Sequence, residues 1–143
     1  MLVKANITFD GQAEAALNFY KEVFNGEIVN LIRFSDAKAL GSEMPPIDEK
    51  YMNRLVNARL DFGNNKFNVC DAMPGQVVIV GNNILMDVVF FDDKEIRMIF
   101  EALSEGGQII MPLASTYFSP NFGVTTDTFG ITWSVMQMTD SHN

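Results

Sequence analysis

Cysteine and histidine are almost missing from this chain of 143 residues, which contains one of each, Cys70 and His142. A single cysteine excludes an intramolecular disulfide and is compatible with a reducing compartment. Imidazole and thiolate are also the preferred side-chain ligands of zinc and related metals, so a transition-metal site here would have to depend on carboxylates. His142 stands next to the C-terminal residue, where we expect an idle, exposed side chain.

Long apolar runs and basic residues are scarce as well. No stretch approaches the roughly 20 apolar residues of a membrane-spanning helix, and the N-terminal residues do not form the pattern of a secretory signal. Ten basic residues against 18 acidic ones give a net charge of −8. This charge argues against nucleic acids and anionic membranes as partners, because both bind basic surfaces. We therefore expect a cytoplasmic protein.

One pattern of a helix flanked by strand-like segments occurs twice along the chain. Two predicted helices, 80 positions apart, share an apolar i, i+3, i+4, i+7 face and a following glycine. Their apolar residues are Ala16, Phe19, Tyr20 and Val23 before Gly26, and Ile96, Ile99, Phe100 and Leu103 before Gly106. Strand-like segments surround each helix, starting with Leu2–Phe9 and with Ile84–Phe91. The pattern predicts an α+β fold in which two βαβββ modules are related by pseudo-twofold symmetry.

The two modules are expected to form a single domain spanning residues 1–143. Module one covers about 1–75 and module two about 80–139, and each is a curved, mostly antiparallel sheet with one helix. Between them we predict a central groove. Residues 35–50 have no counterpart in module two and are predicted to be a long connection: a flap, an arm to a partner subunit, or an ordinary surface excursion.

Three segments resemble the PhnB-like branch of the vicinal oxygen chelate superfamily, which includes glyoxalase I, bleomycin-resistance proteins and extradiol dioxygenases. They are Asp10–Phe24, which reads DGQAEAALNFYKEVF, then Asp71–Gly75, and Phe122–Trp133 with its Asp-x-Phe-Gly turn. The resemblance implies paired βαβββ modules and often a homodimer. The branch also carries a methyltransferase label, but the sequence has no Gly-x-Gly turn for an adenosyl cofactor and no doubly wound pattern. We expect no methyltransferase activity.

Catalytic members of the superfamily hold a divalent metal with His, Gln and Glu on the first and last strands of each module. The matching positions here fall at Ala5 or Asn6, at Leu85 or Met86, between Phe67 and Val69, and at Ser134. None of them is His or Glu, so we expect no metal and no other cofactor. Asp71 and Asp87 are the weak alternative as metal ligands, since a carboxylate among apolar strand residues must find partners.

Several residues are candidates for ligand binding. Four aromatic residues near the end of module two form a candidate group: Tyr117, Phe118, Phe122 and Trp133. They either offer a stacking pocket, with the Tyr117 hydroxyl and the Trp133 indole as polar groups, or close that module's core. Period-two geometry places Ser134 opposite Trp133, with Thr132 and Met136 on its face. Asp71 either contacts a ligand or caps backbone amides, and Cys70 is expected to be buried and inert. The full set is Asn6, Asp71, Met73, Tyr117, Phe118, Phe122, Trp133 and Ser134.

The sequence thus favours a metal-independent protein of unknown specific activity that binds a small organic molecule, in the manner of a bleomycin-resistance protein. Cationic ligands would suit the acidic surface. Two alternatives stay open. One is a divergent metal-dependent lyase, isomerase or dioxygenase that uses Asn6, Asp71 or Asp87. The other is a structural or regulatory dimer whose groove is filled by its own side chains.

Overall fold

The computed structural model describes residues 1–39 and 46–139. It divides into two compact units, Met1–Ile79 and Val80–Asn143. Each unit is built from one four-stranded mixed sheet and one main helix, so the α+β class and the two-module architecture predicted from the sequence are confirmed. No helix in the described part of the chain is long and apolar enough to cross a membrane.

The first unit contains four strands, two α-helices and one 3₁₀ turn. In chain order they are β1 (Asn6–Phe9), α1 (Ala13–Phe24), β2 (Glu27–Arg33), α2 (Phe34–Ala39), a 3₁₀ turn (Glu49–Tyr51), β3 (Leu55–Phe62) and β4 (Asn65–Asp71). The strand order is β1-β4-β3-β2, and β1 runs parallel to β4 while the other neighbours are antiparallel.

The second unit repeats this arrangement in the same spatial order. Its elements are β5 (Met86–Phe90), α3 (Ile96–Ser104), β6 (Gln108–Ala114), β7 (Phe122–Thr126) and β8 (Thr132–Gln137). The strand order is β5-β8-β7-β6, again with one parallel pair, β5 and β8. The duplicated topology is what the repeated sequence pattern predicted.

Each main helix buries one face against its own sheet. In α3 the buried residues are the four predicted ones, Ile96, Ile99, Phe100 and Leu103. In α1 two of the four predicted residues are buried, Ala16 and Tyr20, but the other two buried residues are Ala13 and Leu17 and not Phe19 and Val23. Phe19 and Val23 are only partly buried. Both sets keep the i, i+3, i+4, i+7 spacing, so the α1 sequence is compatible with either face and packing selects one.

The ends of the two helices show why the repeat includes its glycines. Asn25 follows α1 in the left-handed conformation (φ 48°), and Gly106 follows α3 with φ 71°. The next residue, Gly26 or Gly107, lies against the backbone near the end of β3 at Asp61 or of β7 at Thr126. A side chain larger than hydrogen would push helix and strand apart at both places.

Two expectations need correction. The first strand of each unit starts later than predicted, at Asn6 and at Met86, because regular pairing with β4 and β8 begins at those residues. The segment predicted as a long connection begins with helix α2 and ends with the 3₁₀ turn, in which Asp48 accepts a hydrogen bond from the Lys50 amide. Residues 40–45 of that segment lie outside the described part, as does His142.

Candidate functional site

The second sheet has two chemically different faces. Trp133 and Val135 of β8 are buried on the face that carries α3, and Gly123 of β7 lies beside Phe100 on the same side. Alternation along the strands places a second set on the opposite face, which we call the far face of the second sheet. Its members are Asp87, Val89, Phe122, Val124, Thr126, Thr132, Ser134 and Met136.

Ser134 lies on the face predicted for it, opposite Trp133 in the alternation of β8. It pairs with Asp87 on β5 and with Val124 on β7. Its hydroxyl donates a hydrogen bond to Oδ1 of Asp87. The serine is 5% exposed, whereas Asp87 is exposed. The far face thus presents one carboxylate, steadied by a buried hydroxyl and bordered by apolar side chains.

Three of the four residues in the predicted aromatic group form one contact cluster. The rings of Tyr117 and Phe118 meet edge to face with centroids 5.0 Å apart, and those of Phe118 and Phe122 do the same at 5.0 Å. Tyr117 is 98% exposed. Phe122 belongs to the far face of the second sheet, so this aromatic cluster adjoins the Asp87 region through β7 and β8.

Trp133 does not join the aromatic cluster. Its side chain is 2% exposed, and the indole N–H donates a 2.8 Å hydrogen bond to Oδ2 of Asp127. The expectation that its N–H acts as a polar group for a ligand is therefore corrected. Alternation along β8 turns this large ring towards α3, where it fills the core.

Asp127 is a structural residue that the sequence reasoning missed. It is 3% exposed, and its Oδ1 accepts hydrogen bonds from the amides of Phe129 (2.8 Å) and Ile131 (3.0 Å). Together with the Trp133 bond it ties the β7–β8 turn to the core. The signal was available in the Asp-Thr-Phe-Gly turn, because an Asp that opens a tight turn commonly bonds amides further along it.

Asp71 holds the first unit together. It is 6% exposed, Oδ1 accepts from the Ala13 amide at the start of α1 (3.1 Å), and Oδ2 accepts from the Leu55 amide at the start of β3 (2.9 Å). Both oxygens are thus engaged within the unit, which corrects its interpretation as a ligand contact and supports the amide-capping alternative. Met73 is 38% exposed in the turn that follows, where its amide donates to Gln76.

The far face of the first sheet, turned away from α1, is polar. Asn6 pairs with Asn68, and Asn68 donates to Asn57 at 2.9 Å. Oδ1 of Asn68 is buried without a hydrogen-bond partner among the described residues. Cys70 lies in the same layer, with its sulfur 3.4 Å from the Thr8 hydroxyl and 3.7 Å from the Asn6 amide nitrogen.

An ion pair between Arg59 and Asp61 lies on the same polar face. Arg59 donates to both oxygens of Asp61 at 2.6 and 2.8 Å. The guanidinium lowers the pKa of the Asp61 carboxyl, first by these hydrogen bonds and then by its charge. The two sheets therefore share a topology but differ in the chemistry of their far faces.

Comparison with known proteins places the chain in a family. The family model described as 3-demethylubiquinone-9 3-methyltransferase matches residues 2–136. The chain belongs to this family. Protein PA1353 from Pseudomonas aeruginosa is similar, with 25% identity and a TM-score of 0.83 over 98% of this chain and 99% of that one.

Two further solved structures set the wider context. A protein described as a 3-demethylubiquinone-9 3-methyltransferase, PhnB protein, from Bacillus cereus has 26% identity and a TM-score of 0.77, over 96% of this chain and 99% of that one. A glyoxalase/bleomycin resistance protein/dioxygenase family enzyme from Burkholderia phytofirmans PsJN shares the fold alone, at 15% identity and a TM-score of 0.61 over 94% and 96%. The chain is thus PhnB-like and has the fold of the vicinal oxygen chelate superfamily.

The strand pairing shows which residues of this PhnB-like chain face one another across the first and last strands of each unit. On the far faces these pairs include Asn6 with Asn68 in the first unit and Asp87 with Ser134 in the second. Met86, one of the two positions expected from the resemblance, pairs with Trp133. Among residues 1–39 and 46–139, no three His, Cys, Asp or Glu side chains form a group that could hold a metal ion.

Proposed function

We propose that this PhnB-like protein binds a small organic molecule on the far face of the second sheet and that it does so without a catalytic metal ion. The observation that carries the proposal is the position of Phe122. Its ring belongs to the far face and also contacts Phe118 of the aromatic cluster, with ring centroids 5.0 Å apart. An apolar sheet surface that continues into aromatic rings suits the flat, apolar body of a small molecule.

The composition of the far face supports binding rather than catalysis. It carries one carboxylate, Asp87, and the hydroxyls of Ser134, Thr126 and Thr132, whereas chelation of a substrate through a metal needs several N and O ligands around open positions. The facing pair in the first unit, Asn6 with Asn68, consists of neutral amides, which bind divalent transition metals weakly. We therefore propose that the protein sequesters its ligand and does not transform it.

The proposal departs from the activity in the family description. The two described sheets have the orders β1-β4-β3-β2 and β5-β8-β7-β6, and each contains a single parallel pair. A doubly wound sheet with a glycine-rich phosphate turn is the usual support of an adenosyl cofactor. We propose that S-adenosylmethionine is not a cofactor of this protein, and equilibrium dialysis with the labelled compound tests this directly.

Binding is tested with N-phenyl-1-naphthylamine, a neutral apolar probe whose fluorescence rises in an apolar site. We expect saturable enhancement with the wild-type protein and a Kd about three- to tenfold weaker in Tyr117→Ala, the loss expected for one exposed aromatic contact. Tyr117 is 98% exposed, so the substitution leaves the core intact. The control is Phe91→Ala, which removes an aromatic ring that is 79% exposed and lies outside the cluster.

Two results would overturn the proposal. Failure of the wild type to bind the probe and a panel of similar aromatic compounds would favour a face that serves structure alone. Stoichiometric metal in the purified protein, lost to a chelator together with an enzymatic activity, would favour the divergent metal-dependent enzyme. Elemental analysis of the purified protein decides the second point without knowledge of the ligand.

We further propose that the protein acts as a homodimer in the cytoplasm. Edge strand β6 supports the dimer, because Ile109, Ile110 and Met111 are 47–52% exposed and an apolar edge strand invites pairing with another chain. The single cysteine, Cys70, is compatible with the reducing conditions of the cytoplasm. Light scattering should give twice the 16.0 kDa chain mass in the wild type. Ile110→Lys should shift this towards one chain mass, while Met98→Lys on the exposed side of α3 should not.

A further inference from the structure

Asp87 is an exposed carboxylate in an otherwise apolar setting. It lies on edge strand β5 between Met86 and Val88, and its neighbours on the far face are Val89, Val124 and Ser134. One of its oxygens accepts the Ser134 hydroxyl. A carboxylate accepts hydrogen bonds at about four lone-pair positions, so most of its accepting capacity is available to another donor.

No basic side chain of the described residues pairs with Asp87. Acidic side chains of the first unit do form such pairs: Glu14 with Arg33, Asp10 with Arg54, Asp48 with Lys50 and Asp61 with Arg59. An exposed carboxylate without a basic partner can form a charge-assisted hydrogen bond with a cationic donor, which is stronger than a bond between neutral groups.

Most of the net negative charge of the chain lies in the second unit, which contains Asp87. Val80–Asn143 contains two basic residues, Lys94 and Arg97, against eight acidic ones, so it carries six of the protein's eight net negative charges. Lys94 lies two residues before α3 and Arg97 lies in its first turn, and α3 covers the opposite face of the sheet. The resulting negative potential favours the approach of cations to the second unit.

The same position in the first unit has no such charge. Asn6 occupies the place of Asp87 and Asn68 that of Ser134, and the nearby Arg59 is already bound to Asp61. The anionic centre is thus a property of the second sheet, where it coincides with the apolar far face and the aromatic cluster. A carboxylate beside an apolar surface is complementary to a ligand that has a cationic group attached to an apolar body.

We infer that the ligand of the far face is a small organic cation, a protonated amine on an apolar or aromatic skeleton, and that Asp87 receives its ammonium group. The inference rests on the proposed function and adds the chemical class of the ligand. Asp87 accepts the N–H of the ammonium, while Ser134 fixes the carboxylate from within the sheet. Phe122, Val124 and Met136 contact the skeleton.

Paired probes test the charge independently of the apolar contact. We would measure displacement of N-phenyl-1-naphthylamine by 2-phenylethylamine and by 2-phenylethanol, which have similar size and differ in the ammonium group. The wild type should bind the amine about five- to tenfold more tightly than the alcohol, the effect of one charge-assisted hydrogen bond in a partly exposed site. The preference should shrink in 0.5 M salt because the Debye length falls below about 5 Å.

Asp87→Asn is the deciding variant. It keeps the size of the side chain and an acceptor for Ser134 but removes the charge, and the residue is exposed, so we expect a folded protein. The preference for the amine should fall to about one, with binding of the alcohol unchanged. Glu101→Gln is the matched control, since it removes the same charge from the exposed side of α3, and it should keep the preference.

The outcomes separate the two proposals. Equal binding of amine and alcohol by the wild type, or a preference that survives in Asp87→Asn, overturns the inference while a Tyr117-dependent site for the neutral probe still supports the proposed function. An equal loss of preference in Glu101→Gln would show that net charge alone acts, and this also overturns the role of Asp87. Absence of any probe binding removes the proposed function itself.

Discussion

The indole N–H of Trp133 donates a 2.8 Å hydrogen bond to Oδ2 of Asp127, six residues earlier in the chain. Both side chains are almost completely buried, at 2% and 3% exposure. The other oxygen of Asp127 accepts two amides of the β7–β8 turn, at Phe129 and Ile131. One carboxylate therefore satisfies three donors and fixes both the hairpin turn and the orientation of the largest core side chain.

Asp127→Ala is expected to destabilise the protein by about 2–4 kcal/mol, because it leaves the buried indole N–H and the turn amides without acceptors. Trp133 is the single tryptophan of the chain, so its fluorescence reports unfolding in urea directly. Asp93→Ala, an exposed residue of the same unit, serves as control and should change stability by less than about 0.5 kcal/mol. Equal midpoints for the two variants would show that the Trp133 bond contributes nothing.

Asp71 is predicted to matter for stability and not for ligand binding. Asp71→Asn replaces an acceptor with an N–H donor that faces the amide of Ala13 or Leu55, which should cost about 1–3 kcal/mol. Under conditions where the variant is fully folded, its Kd for N-phenyl-1-naphthylamine should equal that of the wild type. A stable variant with weakened probe binding would instead restore Asp71 to the ligand site.

The far face of the second sheet shows how much of the candidate site could be predicted from the sequence. Period-two alternation placed Ser134 and Trp133 on opposite faces of β8, because the closing strand is regular and its register is fixed by a short hairpin. Proximity in sequence similarly grouped Tyr117, Phe118 and Phe122. What alternation could not decide was which face α3 covers, and so Trp133 was included in the ligand site.

The remaining differences between the predicted and the observed roles of residues come from contacts between positions distant in sequence. Asp71 reaches Ala13 across 58 positions, a pairing that follows from the parallel alignment of β1 with β4 and leaves no local signal. In α1 the residues Leu17, Phe19 and Val23 are comparably apolar, so two helix faces satisfied the same spacing. The residue that faces Ser134 depends on the register between β5 and β8. Asp87 faces Ser134 in the observed register, and a shift of one residue would put Met86 there instead.

The ion pair between Glu14 and Arg33 should make stability depend on pH in the acid range. Both guanidinium nitrogens donate to the carboxylate at 2.7 Å, and these hydrogen bonds lower the pKa of Glu14 below its ordinary value of 4.5. A carboxyl with a lowered pKa in the folded state stabilises the protein above the unfolded-state value. That contribution is lost as the pH falls through the lowered pKa.

Glu14→Gln should therefore lower the unfolding free energy at pH 7 and have little effect at pH 3. Because the Glu14 side chain is 46% exposed, we expect no more than about 1 kcal/mol at pH 7, and less at high salt. Urea unfolding at both pH values measures the difference. Glu22→Gln, at an exposed position of the same helix, is the control. An effect of Glu14→Gln that grows on acidification would contradict this account.

The glycines that end the two helices are predicted to tolerate alanine unequally. A Cβ at Gly107 would overlap the carbonyl oxygen of Thr126 and lie 2.9 Å from the backbone of Asp127, whereas a Cβ at Gly26 would lie 2.9 Å from the Asp61 oxygen and 3.0 Å from a Leu60 methyl. Backbone atoms cannot move aside without shifting the strand. We expect Gly107→Ala to cost about 3 kcal/mol or more and Gly26→Ala about 1–3 kcal/mol.

Gly81→Ala provides the comparison for both, because its Cβ would meet only the side-chain oxygen of Asn83, at 3.3 Å. This substitution should be close to neutral, since the lost freedom of the unfolded chain offsets a minor contact. Thermal unfolding of the three variants should rank them in the order Gly107, Gly26, Gly81. If Gly107→Ala were as stable as Gly81→Ala, the chain after α3 would not pack against the end of β7 as described. The structural equivalence of the two helix ends would then be wrong as well.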